Sequence, residues 1–288
     1  MSALLKLYPA AYRREFGDEI AYAYQEATSG AGVPARVREG ADVAGHALRM
    51  RLGLGSAGRP GRLLAALAPF SLVALGAAAS SWAGLMRNVF FVVGPDEIGP
   101  GFVGTVAAYL VMLIGVFLAL AGRWSAGSWT VLAGAVAVLV AIAVRMGIGT
   151  SALFAGPVLA LALVAVACPP DLRPAPRIRT RAGVLAVMAW TLVLTSAVML
   201  VPLVYPVTQL RFAVPVAAGL LLAGRQAFAR LRTAPAVLLA GLPFLYFGAA
   251  PGTVPPLALV GLLVLLLVAA AVVSVRSRRS ARDPLVGG

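Results

Sequence analysis

A chain of 288 residues that is 61% hydrophobic and only 12% charged, with mean hydropathy +0.93, carries more apolar sequence than a soluble core needs. The formal net charge of +14 does not call for nucleic acid, because the basic residues fall in short clusters between apolar runs, as in membrane proteins. A single cysteine, Cys168, rules out an intramolecular disulfide, and a single histidine, His46, has no Cys, His or carboxylate cluster to complete a metal centre. Only Lys6 among the 24 basic residues is lysine, a preference attributed to the codon bias of a GC-rich genome.

Residues 1–61 form a polar, amphipathic prefix that reads as cytoplasmic. No cleavable signal peptide is expected, since Leu4 and Leu5 are followed at once by Lys6, Pro9, Arg13 and Arg14. Pro9 suits the start of a helix on which Tyr12, Phe16, Ile20, Ala23 and Ala27 recur on one face. Gly17 weakens that helix, or marks a close approach to another backbone. Residues 28–33, TSGAGV, read as a turn, and Pro34 opens a second helix with Val37, Ala41, Ala44, Leu48 and Leu52 on one side. The two make a helical hairpin whose apolar stripe needs a cover: membrane surface, transmembrane bundle or another protein.

Apolar segments follow at 63–86, 102–121, 129–147, 151–167, 182–204, 212–223, 235–249 and 257–274. The last is the clearest, an uncharged run of 18 residues leading into VRSRRSAR. The sixth and seventh are short and contain Pro215 and Pro243, which fits tilted, broken or re-entrant helices as well as simple spans. With the prefix inside, 21 of the 24 basic residues fall on cytoplasmic connections and only Arg87, Arg145 and Arg211 do not. That asymmetry predicts an all-α polytopic bundle of about eight spans, both termini cytoplasmic, over residues 62–275, followed by a basic tail at 276–288. Six spans would also return both ends to the cytoplasm but would leave one arginine cluster unexplained. The stretch 168–181, CPPDLRPAPRIRTR, divides the bundle into four and four, without a residue-by-residue match between the halves.

Polar candidates are few. Asp96 and Glu97, in the first exterior loop, are placed to hold a metal or activate an acceptor in a lipid-linked transferase, but read more simply as a solvated turn among Gly94, Pro95, Gly99 and Pro100. Arg145 lies about one turn from the outer end of its span, either contacting an anion or snorkelling to the interface. No Asp or Glu falls within any apolar segment, which weighs against proton- or sodium-coupled transport. His46 reads as a surface or interface residue and Cys168 as a small apolar residue at a helix end. Gly76, Ser80 and Gly84 form a small-residue series for close helix packing. Trp82, Trp124 and Trp129 read as interfacial anchors. No catalytic, cofactor-binding or metal-binding residue is assigned.

The segment LLKLYPAAYRREFGDEI, Leu4–Ile20, resembles the permease prefix of bacterial membrane proteins, roughly LL-x-LYP-x-x-[YWF]-R-x-x-[FY]-G-x-E. That segment precedes macrolide-exporter-type ABC permeases and many smaller multi-span proteins of GC-rich bacteria. The match covers Leu4, Leu5, Leu7, Tyr8, Pro9, Tyr12, Arg13, Phe16, Gly17 and Glu19, and only the prefix. The resemblance implies a cytoplasmic helical adaptor on a membrane domain, in the bacterial cytoplasmic (inner) membrane. Its partner, a regulator or a transporter ATPase, would meet Tyr8, Pro9, Tyr12, Arg13, Phe16, Gly17 and Glu19. The large exterior domain of those permeases is missing here. The expectation is a non-enzymatic membrane protein of regulatory or accessory type, in contact with the lipid bilayer. The alternatives are an ABC-type permease subunit and a lipid-linked transferase using Asp96 and Glu97.

Overall fold

A computed structural model describes residues 2–55, 58–93, 99–174, 180–199, 205–249 and 254–282. Among them every regular element is helical: α1 (Ser2–Leu5), α2 (Ala10–Thr28), α3 (Val33–Arg51), α4 (Arg59–Val93), α5 (Pro100–Leu120), α6 (Trp124–Met146), α7 (Ile148–Val166), α8 (Arg181–Met199), α9 (Tyr205–Ala229), α10 (Ala234–Gly248) and α11 (Pro256–Arg282), with a 3-10 turn at Pro170–Leu172. The chain forms two compact units, Met1–Leu64 with Pro169–Leu172, and Ala65–Cys168 with Arg173–Gly288.

In the first unit α2 starts after Pro9 and stops at Thr28, whose hydroxyl turns back to the Tyr24 carbonyl at 2.7 Å. Pro34 sits in the first turn of α3, where its missing N–H costs nothing. At the other end Leu54 N–H donates to Arg49 O and Gly53 N–H to Met50 O, the paired bonds of a Schellman cap with Gly53 at φ +65°. The inward face of α2 is Tyr12, Phe16, Gly17 and Ile20, then Ala21, Tyr24 and Thr28, while Ala23 and Ala27 point outward. The face drifts because a four-residue step overshoots one full turn by about 40° and because Tyr24 reaches across to α3, its hydroxyl 3.9 Å from where a Cβ on Gly40 would stand. Among the described residues a Cβ placed on Gly17 would meet only Arg13 Cγ, at 3.5 Å, and no other backbone, which does not support the alternative of a close approach there.

In the second unit six helices have segments long and apolar enough to cross a membrane: Arg59–Trp82, Gly101–Leu120, Trp124–Met146, Ile148–Val166, Leu210–Ala229 and Pro256–Arg276. Two further apolar stretches, Arg181–Ser196 and Ala234–Gly248, are shorter. This is the helix set of a multi-pass membrane protein. Each of the eight apolar runs coincides with a helix over its described residues, and the last five residues of the fifth run, 200–204, lie outside them. The sixth is longer than its pattern suggested, because α9 already begins at Tyr205 and runs on through Pro215 before breaking at Gly224. The seventh, α10, stays helical through Pro243.

The most and the least buried of the membrane-length windows stand opposite to their hydropathy. The window in α4 has mean hydropathy 1.9 and is 89% buried, whereas that in α11 has mean hydropathy 3.0 and is 6% buried. Leu and Val face lipid as readily as protein, so small residues win the central position, where backbones can approach. The α5–α6 pair shows the consequence. A Cβ on Gly115 would stand 2.6 Å from Val131 N, and one on Gly134 2.8 Å from Met112 N.

Candidate functional site

In the first unit an aromatic cluster joins α2 to α3. Tyr8 is buried, stacks on Tyr12 at 5.5 Å between ring centroids, and places its hydroxyl 2.9 Å from His46 Nδ1. Tyr12 continues to Phe16 at 4.8 Å. Tyr12 and Phe16 lie on consecutive turns of α2, Tyr8 stands in the bend just before that helix, and His46 comes opposite Tyr8 and Tyr12 from α3. A second contact, from Tyr8 Oη to Val43 O at 3.4 Å, is the alternative direction for the hydroxyl proton.

The electrostatics keep both partners neutral. Burial first, then the Arg49 charge, lower the His46 pKa below its ordinary value of 6.5. Burial, with a smaller contribution from Tyr12, raises that of Tyr8, against the opposing pull of Arg49. A neutral imidazole with its proton on Nε2 accepts the Tyr8 O–H at Nδ1. His46 is therefore a half-buried hydrogen-bonding partner inside the hairpin, the interface position of the two that its isolation in sequence left open.

Beside this pair His46, Arg49, Met50, Leu54 and Gly55 line a groove of about 280 Å³ with Pro169, Pro170 and Asp171. The groove lies wholly within the first unit. Its walls are mainly apolar, with one cation and one carboxylate, so it suits an apolar side chain better than a polar metabolite.

The expected contact residues divide into two groups. Tyr8 and Gly17 are buried, and Pro9, Tyr12 and Phe16 are half-buried, while Arg13 and Glu19 are exposed. The motif thus contributes mostly to holding the hairpin together, and its two charged members are the ones that face outward.

In the second unit Arg145 is exposed in the last turn of α6. Its stem lies along the first turn of α5, Cδ being 2.9 Å from where a Cβ on Gly101 would stand. This is the posture of a snorkelling arginine. Asp96 and Glu97 lie outside the described residues. Among the described residues no group of three or more His, Cys, Asp or Glu is placed to hold a metal. Cys168 is buried just past α7. Of the three tryptophans read as anchors only Trp129 is exposed. Trp124 is buried with its indole N–H on Ala165 O at 3.2 Å, and Trp82 stacks on Tyr109 at 5.4 Å. Both indoles have partners within the bundle.

Two features had no counterpart in the sequence reading. Trp190 of α8 is fully buried and fills the notch left by Gly76 and Ser80, so two members of the small-residue series admit an indole within the chain. Arg211 of α9, counted there only as one of three basic residues off the cytoplasmic side, retains only 3% of its surface. The signal for it was the length of α9, which begins seven residues before the apolar run. No family model, curated protein or solved structure matches this chain.

Proposed function

We propose that this chain is a non-enzymatic accessory or regulatory subunit of a bacterial cytoplasmic membrane. Its eight apolar helices cross the bilayer with both termini inside, and its α1–α3 hairpin engages a cytoplasmic protein. The observation that carries the reading is the sorting of the prefix motif. Tyr8, Tyr12 and Phe16 turn toward His46, which leaves α2 presenting Arg13, Arg14, Glu15, Asp18 and Glu19 as an exposed mixed-charge face. Charges of both signs on one ordered helix suit a complementary protein surface better than a uniformly anionic one. The resemblance of Leu4–Ile20 to the permease prefix agrees with such an adaptor.

A photo-crosslinker at Glu19 in the full chain, expressed in native membranes, tests it. One discrete protein adduct is expected, lost in the Arg13→Glu, Glu19→Arg double variant while membrane insertion is unchanged. A well-inserted chain that gives no adduct at Glu19 overturns the reading.

A permease subunit is the second reading, favoured by Arg211, since a buried cation in a membrane helix is a functional candidate by default. Recovery of an ATPase as the Glu19 adduct, with transport of an anionic cargo lost in Arg211→Met, moves the assignment there.

A further inference from the structure

We infer that α3 is an interfacial helix, lying in the headgroup layer of the bilayer that the bundle crosses, with Val37, Leu48 and Leu52 in the acyl boundary. These side chains are 66%, 58% and 57% exposed, as is Val33 at the start of the helix. At about 100° per residue, positions 33, 37, 41, 44, 48 and 52 fall within an arc of about 100°. His46, Val43 and Ala47, on the other side, face into the hairpin. The sequence left three covers open for this stripe, and three observations favour lipid.

The first is tethering. Six residues separate Leu52 from Arg59, the first residue of a membrane-length segment, so even a fully extended linker reaches only about 20 Å. The linker is not extended. Gly58 N–H bonds Gly55 O at 3.0 Å, and a Cβ on Gly61 would meet Gly55 and the Leu54 carbonyl at 2.8 Å. The end of α3 is therefore folded onto the first turn of α4. The second is the groove, which Met50 and Leu54 of the α3 terminus line together with Pro169 and Pro170. Pro169 follows Val166, the end of another membrane-length helix, by three residues. The C-terminal turn of α3 thus lies beside two places where the chain enters or leaves a membrane-length helix. The third is charge. From Val33 to Arg62 six arginines (36, 38, 49, 51, 59, 62) face two carboxylates, Glu39 and Asp42. An apolar arc on a segment rich in arginine is the composition of a helix held on anionic lipid; Arg51 itself lies on that arc, with its guanidinium turned back to Lys6 O. The α2 helix has the opposite balance, two arginines against four carboxylates.

The test uses the full chain in phosphatidylcholine vesicles with and without phosphatidylglycerol. Spin labels are introduced at Val37→Cys, Leu48→Cys and Gln25→Cys, the last on the exposed face of α2, with the wild-type chain as the control for labelling of buried Cys168. In vesicles containing phosphatidylglycerol, collision with oxygen should exceed collision with a water-soluble nickel complex at Val37 and Leu48, and the order should reverse at Gln25. Omitting the anionic lipid should make the two α3 labels shallower. Nickel access at Val37 and Leu48 equal to that at Gln25 overturns the proposal, as does exclusion of both reagents, which would mean that a protein surface or a second copy covers the stripe. Depth that does not respond to the anionic lipid overturns the role given to the arginines. The α2 face takes no part in this, so the crosslinking result at Glu19 and this one fail independently.

Discussion

The indole N–H of Trp190 donates to the hydroxyl of Ser80 across 2.9 Å, joining α8 to α4 over 110 residues of sequence. Ser80 passes the bond on to Gly76 O at 2.8 Å, so the donor chain ends on the backbone of the central helix.

Removing the acceptor should therefore cost more than removing a surface hydroxyl. Ser80→Ala leaves a fully buried N–H without its partner, at about 1–3 kcal/mol. Trp190→Phe removes the donor as well, so the double variant should lose less than the sum of the singles. Gly76→Val drives methyl groups into a ring already 2.7 Å from where a Cβ would stand, and should cost about 1–3 kcal/mol. Reversible unfolding of the purified chain checks all three. Additive losses at Ser80 and Trp190 would remove the bond from the account.

The Tyr8–His46 pair predicts a pH dependence with a definite sign. The folded-state pKa of His46 lies below its unfolded value, so the unfolded chain takes up the proton first. The hairpin should hold its full stability above about pH 6.5 and lose it as pH falls through the lower folded value, when Nδ1 becomes a donor and the Tyr8 proton must turn to Val43 O. Tyr8 is shifted upward, so its share is present at neutral pH and is lost as pH rises above its unfolded value. Since His46 is the only histidine, its Cε1 proton gives an unambiguous NMR titration. A midpoint at or above 6.5 would contradict the burial of this ring.

Gly17 offers the opposite kind of test, because nothing in the structure needs the missing Cβ. The site is buried, yet a methyl group would meet only Arg13 Cγ at 3.5 Å. Gly17→Ala should stabilise α2 by about 0.5–1 kcal/mol, seen as roughly two- to fivefold slower hydrogen exchange of its amides in the full chain. Gly147→Ala should do the reverse. With φ +83° and ψ 165° this single residue links α6 to α7, a conformation that costs other residues about 1–3 kcal/mol, read as a lower unfolding temperature.

The membrane helices were legible because an apolar run of membrane length needs no tertiary information to be recognised. Their roles were not, since hydropathy reports how well a helix tolerates lipid. The run at 257–274 stands out most in the sequence, and its helix packs least. The central helix shows itself only through Ala, Gly and Ser, which also occur in ordinary packed helices. Tyr8 and His46 are 38 residues apart, and their meeting depends on the register of a hairpin that periodicity alone leaves free. Arg211 falls outside the sixth apolar run for a simpler reason. That run starts at Phe212, after the polar Gln209 and Arg211, whereas the helix begins at Tyr205 and carries both, with Pro215 inside it.

Whether α10 crosses the bilayer decides where the chain ends. Its 15 residues give a rise of about 22 Å, short of a hydrocarbon core of about 30 Å, so a crossing requires local thinning or contributions from the flanking turns. If α10 instead turned back, α11 would carry Arg276, Arg278, Arg279 and Arg282 to the exterior, against the basic asymmetry of every other connection. The cost of misplacing four arginines exceeds that of a modest mismatch, and crossing is the expected outcome. Reporter fusions after Arg232 and after Arg282 should both give cytoplasmic signals. A cytoplasmic signal at Arg232 with an exterior one at Arg282 would make α10 re-entrant and reduce the crossings to seven.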